Sequence, residues 1–196
     1  MNQVRVIGGR WRGRKLPVAD LPGLRPTGDR IRETLFNWLT PTVEGAHCLD
    51  LFAGSGALSL EALSRGANRA VCLDNQPAVV SALLAIGQQL EIVGFEPIQQ
   101  DALAWLKRPA ANTNTVDSKC DRFDIIFLDP PFESKLLQPA IDALAASDCV
   151  KDGALVYIER SRTAEDVRLS DGWEMVKDKQ TGNIRFSLIE VTDKQR

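Results

Sequence analysis

Histidine is nearly missing from this chain of 196 residues: His47 is the only one. A histidine-based metal centre therefore has almost nothing to be built from, and His47 reads as a strand-entry residue rather than a catalyst. Cysteine is scarce too. The four cysteines (Cys48, Cys72, Cys120 and Cys149) show no C-x-x-C spacing, which argues against a zinc ribbon or a redox motif. No apolar run approaches the roughly 20 residues of a membrane span. The segment 1–10 also lacks the apolar stretch of a secretory signal, so the expectation is a cytoplasmic protein with no metal and no membrane. At 44% hydrophobic and 26% charged residues, the composition suffices for a core of ordinary size, and one domain with a small appendage is expected.

Charge is small in total and uneven in place. The net formal charge is −2, yet residues 1–40 hold eight bases and three acids, leaving 16 bases and 23 acids for the rest. Arg5, Arg10, Arg12, Arg14, Lys15, Arg25, Arg30 and Arg32 are the eight. A basic end on an otherwise acidic chain suggests that this end faces a polyanion. The competing reading is a solvated edge strand whose charges block aggregation.

Residues 4–7 and 14–16 read as short strands around a glycine-rich turn, hence a basic hairpin assigned to residues 1–26. Ile31, Leu35, Trp38 and Leu39 then fall at helical spacing before Pro41. From residue 47 apolar strands and helices alternate. Strands are expected at 48–52, 70–73, 97–100, 123–128 and 153–159, with helices after each of the first four. Pro77 suits a first helical turn. Residues 108–120 read as a polar loop. The tail forms two strands, 173–176 and 184–190, about the turn Thr181-Gly182-Asn183. The continuous apolar strands predict a parallel sheet covered on both faces. The expected fold over residues 27–196 is α/β and Rossmann-like: seven mostly parallel strands with an antiparallel C-terminal edge strand.

In open sheets of this kind ligands bind beyond the carboxyl ends of the strands. Four such ends carry polar punctuation. The first strand holds Asp50 and Phe52, then the turn Ala53-Gly54-Ser55-Gly56 opens a helix. Glycines there allow close backbone approach by a ligand. A dinucleotide fingerprint would want Gly or Ala at 59, where Ser59 stands. Asp74, followed by Asn75, ends the second strand, where an acid can accept from ribose hydroxyls. Asp101, followed by Ala102, ends the third; it reads equally as a helix N-cap or as an acceptor for an adenine amine. The fourth ends at Asp129-Pro130-Pro131-Phe132. Prolines lack N–H and fix φ, so that loop is stiff and rich in carbonyls. It can hold a planar amine, with Phe132 stacked on the ring and Asp129 accepting the amine hydrogens. A strand ending in a plain Asp-Pro turn, with Phe132 in the core, is the simpler alternative.

These segments together carry a resemblance. Residues 46–132 look like a class I S-adenosylmethionine-dependent methyltransferase. Over nearly the whole chain the sequence resembles the RsmD family, bacterial 16S ribosomal RNA guanine-N2 methyltransferases. The resemblance rests on residues 5–16, 25–27, 30–39, 49–56 and 127–132. It departs at Asn75, where many methyltransferases carry an acid or an aromatic residue, and in the polar stretch 109–119. The resemblance implies methyl transfer from S-adenosyl-L-methionine to guanine N2 of 16S ribosomal RNA, in a 30S subunit or an assembly intermediate, by a monomer. It implies Asp129, Pro130, Pro131 and Phe132 as catalytic. Asp50, Phe52, Ala53, Gly54, Ser55, Gly56, Asp74, Asn75, Asp101, Ala102 and Asp129 would bind the cofactor. Arg5, Arg10, Trp11, Arg12, Arg14, Lys15, Arg25 and Arg30 would bind RNA, Trp11 by stacking on a base. Three rivals stay open: an adenine-N6 methyltransferase, a nicotinamide-dependent oxidoreductase, and a non-catalytic RNA-binding assembly factor.

Overall fold

A computed structural model describes residues 3–17, 28–108, 122–132 and 134–192. Its seven-stranded sheet has the spatial order 95–99, 69–74, 47–50, 123–128, 150–161, 184–191, 173–181, and a separate two-stranded sheet pairs 3–5 with 15–17. The chain divides into two compact units, residues 1–100 and 101–196.

The first unit opens with the hairpin, β1 (Gln3–Arg5) antiparallel to β2 (Lys15–Pro17), with Val4 opposite Leu16. A single 3-10 turn, Gly9–Trp11, lies between them. Helix α1 (Asp29–Trp38) buries Ile31, Leu35 and Phe36; of the predicted stripe Ile31, Leu35 and Leu39 are buried, Trp38 is half-buried, and Phe36 joins the buried face instead. Three parallel strands follow: β3 (His47–Asp50), β4 (Arg69–Asp74) and β5 (Phe95–Gln99), with β4 in the middle. Cys48, Leu49 and the run 70–73 are at most 2% exposed, as expected of strands covered on both faces. β5 lies at the sheet's edge and tolerates Pro97 there. Helix α2 (Ala57–Ser64) is buried along its whole length. Helix α3 (Pro77–Gln89) starts on the predicted proline.

The second unit holds α4 (Ala102–Leu106), β6 (Phe123–Leu128), α5 (Leu137–Ala146), β7 (Val150–Ser161), β8 (Trp173–Thr181) and β9 (Ile184–Val191). β6 and β7 are parallel and share the pairs Phe127↔Tyr157 and Leu128↔Ile158. The C-terminal strand is antiparallel as expected, but it is not the edge. β9 pairs with β7 on one side and with β8 on the other. The two-residue hairpin at Gly182 and Asn183 fixes only the pairing with β8; here β8 lies one place out from β7, and β9 turns back into the gap. Its residues 186–189 are correspondingly at most 3% exposed, whereas β8 alternates little and is largely exposed. β7 and β8 are also longer than the predicted strands, because their extensions are polar apart from Val150 and carry little apolar signal.

Candidate active site

In the first unit the glycine turn is built around two left-handed residues, Gly54 with φ +50° and Gly56 with φ +71°. The second is also a packing requirement, since a Cβ on Gly56 would lie 2.5 Å from Leu83 Cδ2. Gly56 N–H donates to the Ala53 carbonyl at 2.7 Å, and Ala53 N–H to the Leu73 carbonyl at 2.8 Å, so the turn is stitched to the end of β4. Asp74 completes the stitching. Its Oδ2 accepts from Gly54 N–H at 3.0 Å and its Oδ1 from Gln76 N–H at 2.9 Å. Each carboxylate oxygen retains a second acceptor direction. Asn75 beside it is exposed, while Phe52 is half-buried. Helix α2 begins without a side-chain cap and without an acid in its first turn. Its first N–H groups and dipole thus favour negative charge there. Asp50 is buried inside β3, and its Oδ2 accepts from Ser59 Oγ at 2.7 Å. That hydroxyl gives Ser59 a use that Gly or Ala, the usual fingerprint residues, could not supply. Burial first, and the charge of Asp50 second, push the Cys72 thiol well above its ordinary range, so it is not a nucleophile.

In the second unit Asp101 caps α4, its Oδ1 accepting from Ala104 N–H at 2.8 Å. Asp129 follows β6 and is half-buried; Pro130 is buried and Pro131 exposed. Phe132 is 49% exposed, so it is not a core aromatic. The Pro131 carbonyl accepts from Ser134 N–H at 2.8 Å. One constituent was not identified from the sequence. Parallel pairing of Leu128 with Ile158 sets Asp129 abreast of Glu159, one residue further along each strand. Glu159 is 3% exposed and accepts from the Tyr157 hydroxyl at 2.6 Å. Burial, then the charge of Asp129, push the Glu159 carboxyl up to about 8, against a smaller pull from Tyr157. Burial first, then the charge of Glu159 and after it that of Asp129, raise Tyr157 well above its ordinary value.

The basic hairpin is anchored on α2. Glu61, fully buried, accepts from Ile7 N–H at 2.8 Å, Gly8 N–H at 2.7 Å and Arg65 Nε at 2.7 Å, with Arg32 Nη1 at 3.5 Å. Ser64 Oγ accepts from Trp11 N–H at 3.0 Å and donates to the Gly8 carbonyl at 2.6 Å. Trp11 is therefore a correction. Its ring is 7% exposed and lies under the Arg10 guanidinium, 4.2 Å from the ring centroid, so it is core rather than a platform for a base. Arg5 is committed to Asp29 at 2.6 Å. Asp29 is a carboxylate that burial raises, but its bonds to Arg5 and Arg32 outweigh that and leave it below its ordinary value. Arg10, Arg12, Arg14, Lys15 and Arg30 are exposed. Arg25 lies outside the described residues.

Among the described residues no group of three or more His, Cys, Asp or Glu side chains is placed to hold a metal ion, and no helix is long and apolar enough to cross a membrane.

The family described as conserved hypothetical protein 95 matches residues 4–190. The chain is 41% identical over 190 residues to ribosomal RNA small subunit methyltransferase D of Haemophilus influenzae, covering 96% of this chain and 94% of that one. It is 40% identical over 188 residues to the Escherichia coli protein of the same name, covering 96% and 90%. A solved methyltransferase structure from Escherichia coli superimposes with a TM-score of 0.87 at 36% identity, covering 98% of this chain and all of that one. A methylase structure from Haemophilus influenzae gives 0.82 at 37% identity, again covering 98% and all. With the glycine turn, the strand-end acids and the Asp-Pro-Pro-Phe tip in place, and with relatives matched from end to end, this chain belongs to the ribosomal RNA small subunit methyltransferase D family.

Proposed function

We propose that this protein transfers the methyl group of S-adenosyl-L-methionine to the exocyclic N2 amine of a guanine in 16S ribosomal RNA. It would act as a cytoplasmic monomer on a 30S subunit or an assembly intermediate. The observation that carries the reading is the tip of β6, where a half-buried Asp129 and an exposed Phe132 flank two prolines on a member of this family.

Most of the residues assigned to the donor belong to the first unit, and Asp101 and Ala102 to the second. Gly54, Ser55 and Gly56 offer backbone to its amino-acid end, Asp50 lies within the strand that feeds them, and Phe52 and Ala53 border the turn. Asp74, already oriented by two backbone N–H groups, accepts from the ribose hydroxyls, with Asn75 beside it. Asp101 and Ala102 are assigned to the adenine amine; Asp101 Oδ1 is engaged as a cap, which leaves Oδ2 for that contact. When bound, S-adenosylmethionine supplies a methyl carbon already activated by its sulfonium.

The remaining chemistry belongs to Asp129 and its loop. The guanine amine is a poor nucleophile because its lone pair is delocalised into the ring. Asp129 and a loop carbonyl accept its two hydrogens, which turns the lone pair out of conjugation. The Pro131 carbonyl accepts from Ser134 and keeps a second lone pair, so the carbonyls of Pro130 and Pro131 are the two candidates for that role. Phe132 stacks on the base. The nitrogen lone pair forms the new N–C bond as the S–C pair returns to sulfur, and the proton lost from nitrogen passes to Asp129 and on to water. Orientation of this kind is worth about 7–11 kcal/mol in favourable cases. An RNA base must be unstacked to be reached. Arg10, Arg12, Arg14, Lys15 and Arg30 supply exposed charge for the phosphates. Arg5, held by Asp29, is a weaker candidate.

The test is methylation, with labelled donor, of 16S RNA and 30S particles from cells lacking the gene, followed by nucleoside analysis. N2-methylguanine is expected; N6-methyladenine would redirect the reading to adenine, and no transfer would leave an RNA-binding role. Asp129→Ala is expected to lower the transfer rate by at least about 10²-fold while donor affinity, measured by calorimetry, stays within a factor of a few. Replacing Arg12 and Arg14 together with Gln is expected to lower the slope of log affinity against log salt by about 1.4, two single-strand phosphate contacts. An unchanged slope removes the hairpin from the RNA interface.

A further inference from the structure

We propose that Glu159 is a positioning residue of the methyl transfer: its buried carboxyl, pinned by the Tyr157 hydroxyl and set abreast of Asp129, holds Asp129 in register for the acceptor amine. The inference rests on the function proposed above. Its structural basis is independent of any ligand. Phe127, Tyr157 and Phe186 form a run of rings across β6, β7 and β9. Each neighbouring pair of centroids is 6.4 Å apart. Tyr157 and Glu159, two residues apart on β7, point to the same face. On β9 the positions opposite them are Leu188 and Phe186, both apolar. The next residue, Arg160, belongs to the other face and is spoken for by Asp166 at 2.6 Å. Among the described residues the ionisable groups acting on Glu159 are thus Asp129 from the end of β6 and Tyr157 on its own strand.

A buried acid with a hydroxyl donor and an anionic neighbour is an expensive arrangement for fold stability alone, since a packed apolar residue would serve better. Two carboxyls brought together in this way do not both ionise readily. Tyr157 donates to Oε2, so the proton retained at neutral pH belongs on Oε1 of Glu159. With Glu159 neutral, Asp129 remains the anion that accepts from the amine. Once Glu159 ionises, a second negative charge beside Asp129 pushes it out of place. The pair then sets an alkaline limit on turnover without touching the RNA.

The chain has a single tyrosine, so one Cζ-labelled tyrosine gives one carbon resonance that reports this site. In the ligand-free full chain that resonance is expected to step with a midpoint at about 8. The step should vanish in Glu159→Gln and move to lower pH by roughly half a unit or more in Asp129→Asn, where the neighbouring charge is removed. A flat resonance between pH 6.5 and 9, or a midpoint indifferent to Asp129→Asn, overturns the proposal. In turnover, a single ionisation near 8 makes wild-type kcat fall roughly sixfold from pH 7 to 8.8 relative to Glu159→Gln on the same RNA. Using one RNA cancels titration of the base itself, and KM for RNA is expected to stay put. Equal pH ratios for the two proteins overturn the proposal. Wild type that makes no N2-methylguanine at any pH overturns instead the reaction on which it rests, and the resonance distinguishes the two failures.

Discussion

Two glutamates, Glu61 in the first unit and Glu159 in the second, are buried to nearly the same degree, at 0% and 3% exposure, and their surroundings could hardly differ more. Glu61 receives two backbone N–H groups and two guanidinium groups. Glu159 receives one neutral hydroxyl and faces a carboxylate. The first arrangement is how a fold keeps a charge inside: every lone pair has a donor. The second leaves an acid whose ionisation is adjustable, which is how groups near reacting atoms are commonly found. Burial alone thus says nothing about purpose; the count and sign of the partners do.

The contrast can be broken most severely at Glu61. Glu61→Ala removes the acceptor shared by Ile7, Gly8, Arg32 and Arg65 and leaves a buried guanidinium only partly compensated by Asp29. A loss of about 3–5 kcal/mol is expected in urea unfolding; a loss under about 1 kcal/mol would make Glu61 an ordinary polar residue. Next comes Glu159→Gln, which is expected to change the pH dependence of stability more than its size. A carboxyl raised from its ordinary value of 4.5 to about 8 in the fold contributes stability that is fully present below about pH 4.5 and lost as pH rises to about 8. Wild type should therefore weaken against the Gln variant by about 1 kcal/mol per pH unit over that window, then run parallel above it. Parallel curves throughout would put Glu159 in the same class as Glu61. The smallest effect belongs to the surface. Arg5→Ala breaks an exposed pair with Asp29 and is expected to cost about 0.2–1 kcal/mol, less at high salt.

The same contrast marks what the sequence makes legible. Strands β3, β4 and β6 were readable because each is a short, continuous apolar run ending in an acid or a glycine turn. The Asp-Pro-Pro-Phe tip was readable because its chemistry lies in consecutive residues. Glu159 was not, since only the register between β6 and β7 brings it beside a residue 30 positions earlier. Trp11 was misjudged for a related reason. Its neighbours Gly8, Arg10 and Arg12 suggest an exposed loop, but Ser64, whose hydroxyl accepts from its backbone N–H, lies 53 residues away. The place of β9 followed no local rule either, because a hairpin turn fixes pairing with β8 and leaves open which strand lies on the far side.

That placement has a consequence for how the protein is made. β9 is synthesised after β8 yet fills an interior slot, so β7 leaves the ribosome with its flank open and keeps it open for some thirty residues of further synthesis. During that interval the stretch 155–159, with only β6 to pair with, is a mostly apolar ribbon with one open edge of the kind that sticks to other chains. The lid over Tyr157 and Glu159 arrives only when Phe186 and Leu188 emerge. The nascent protein therefore acquires its most delicate acid–base surroundings at the close of folding, and whatever shields that ribbon in the meantime governs how much of it survives.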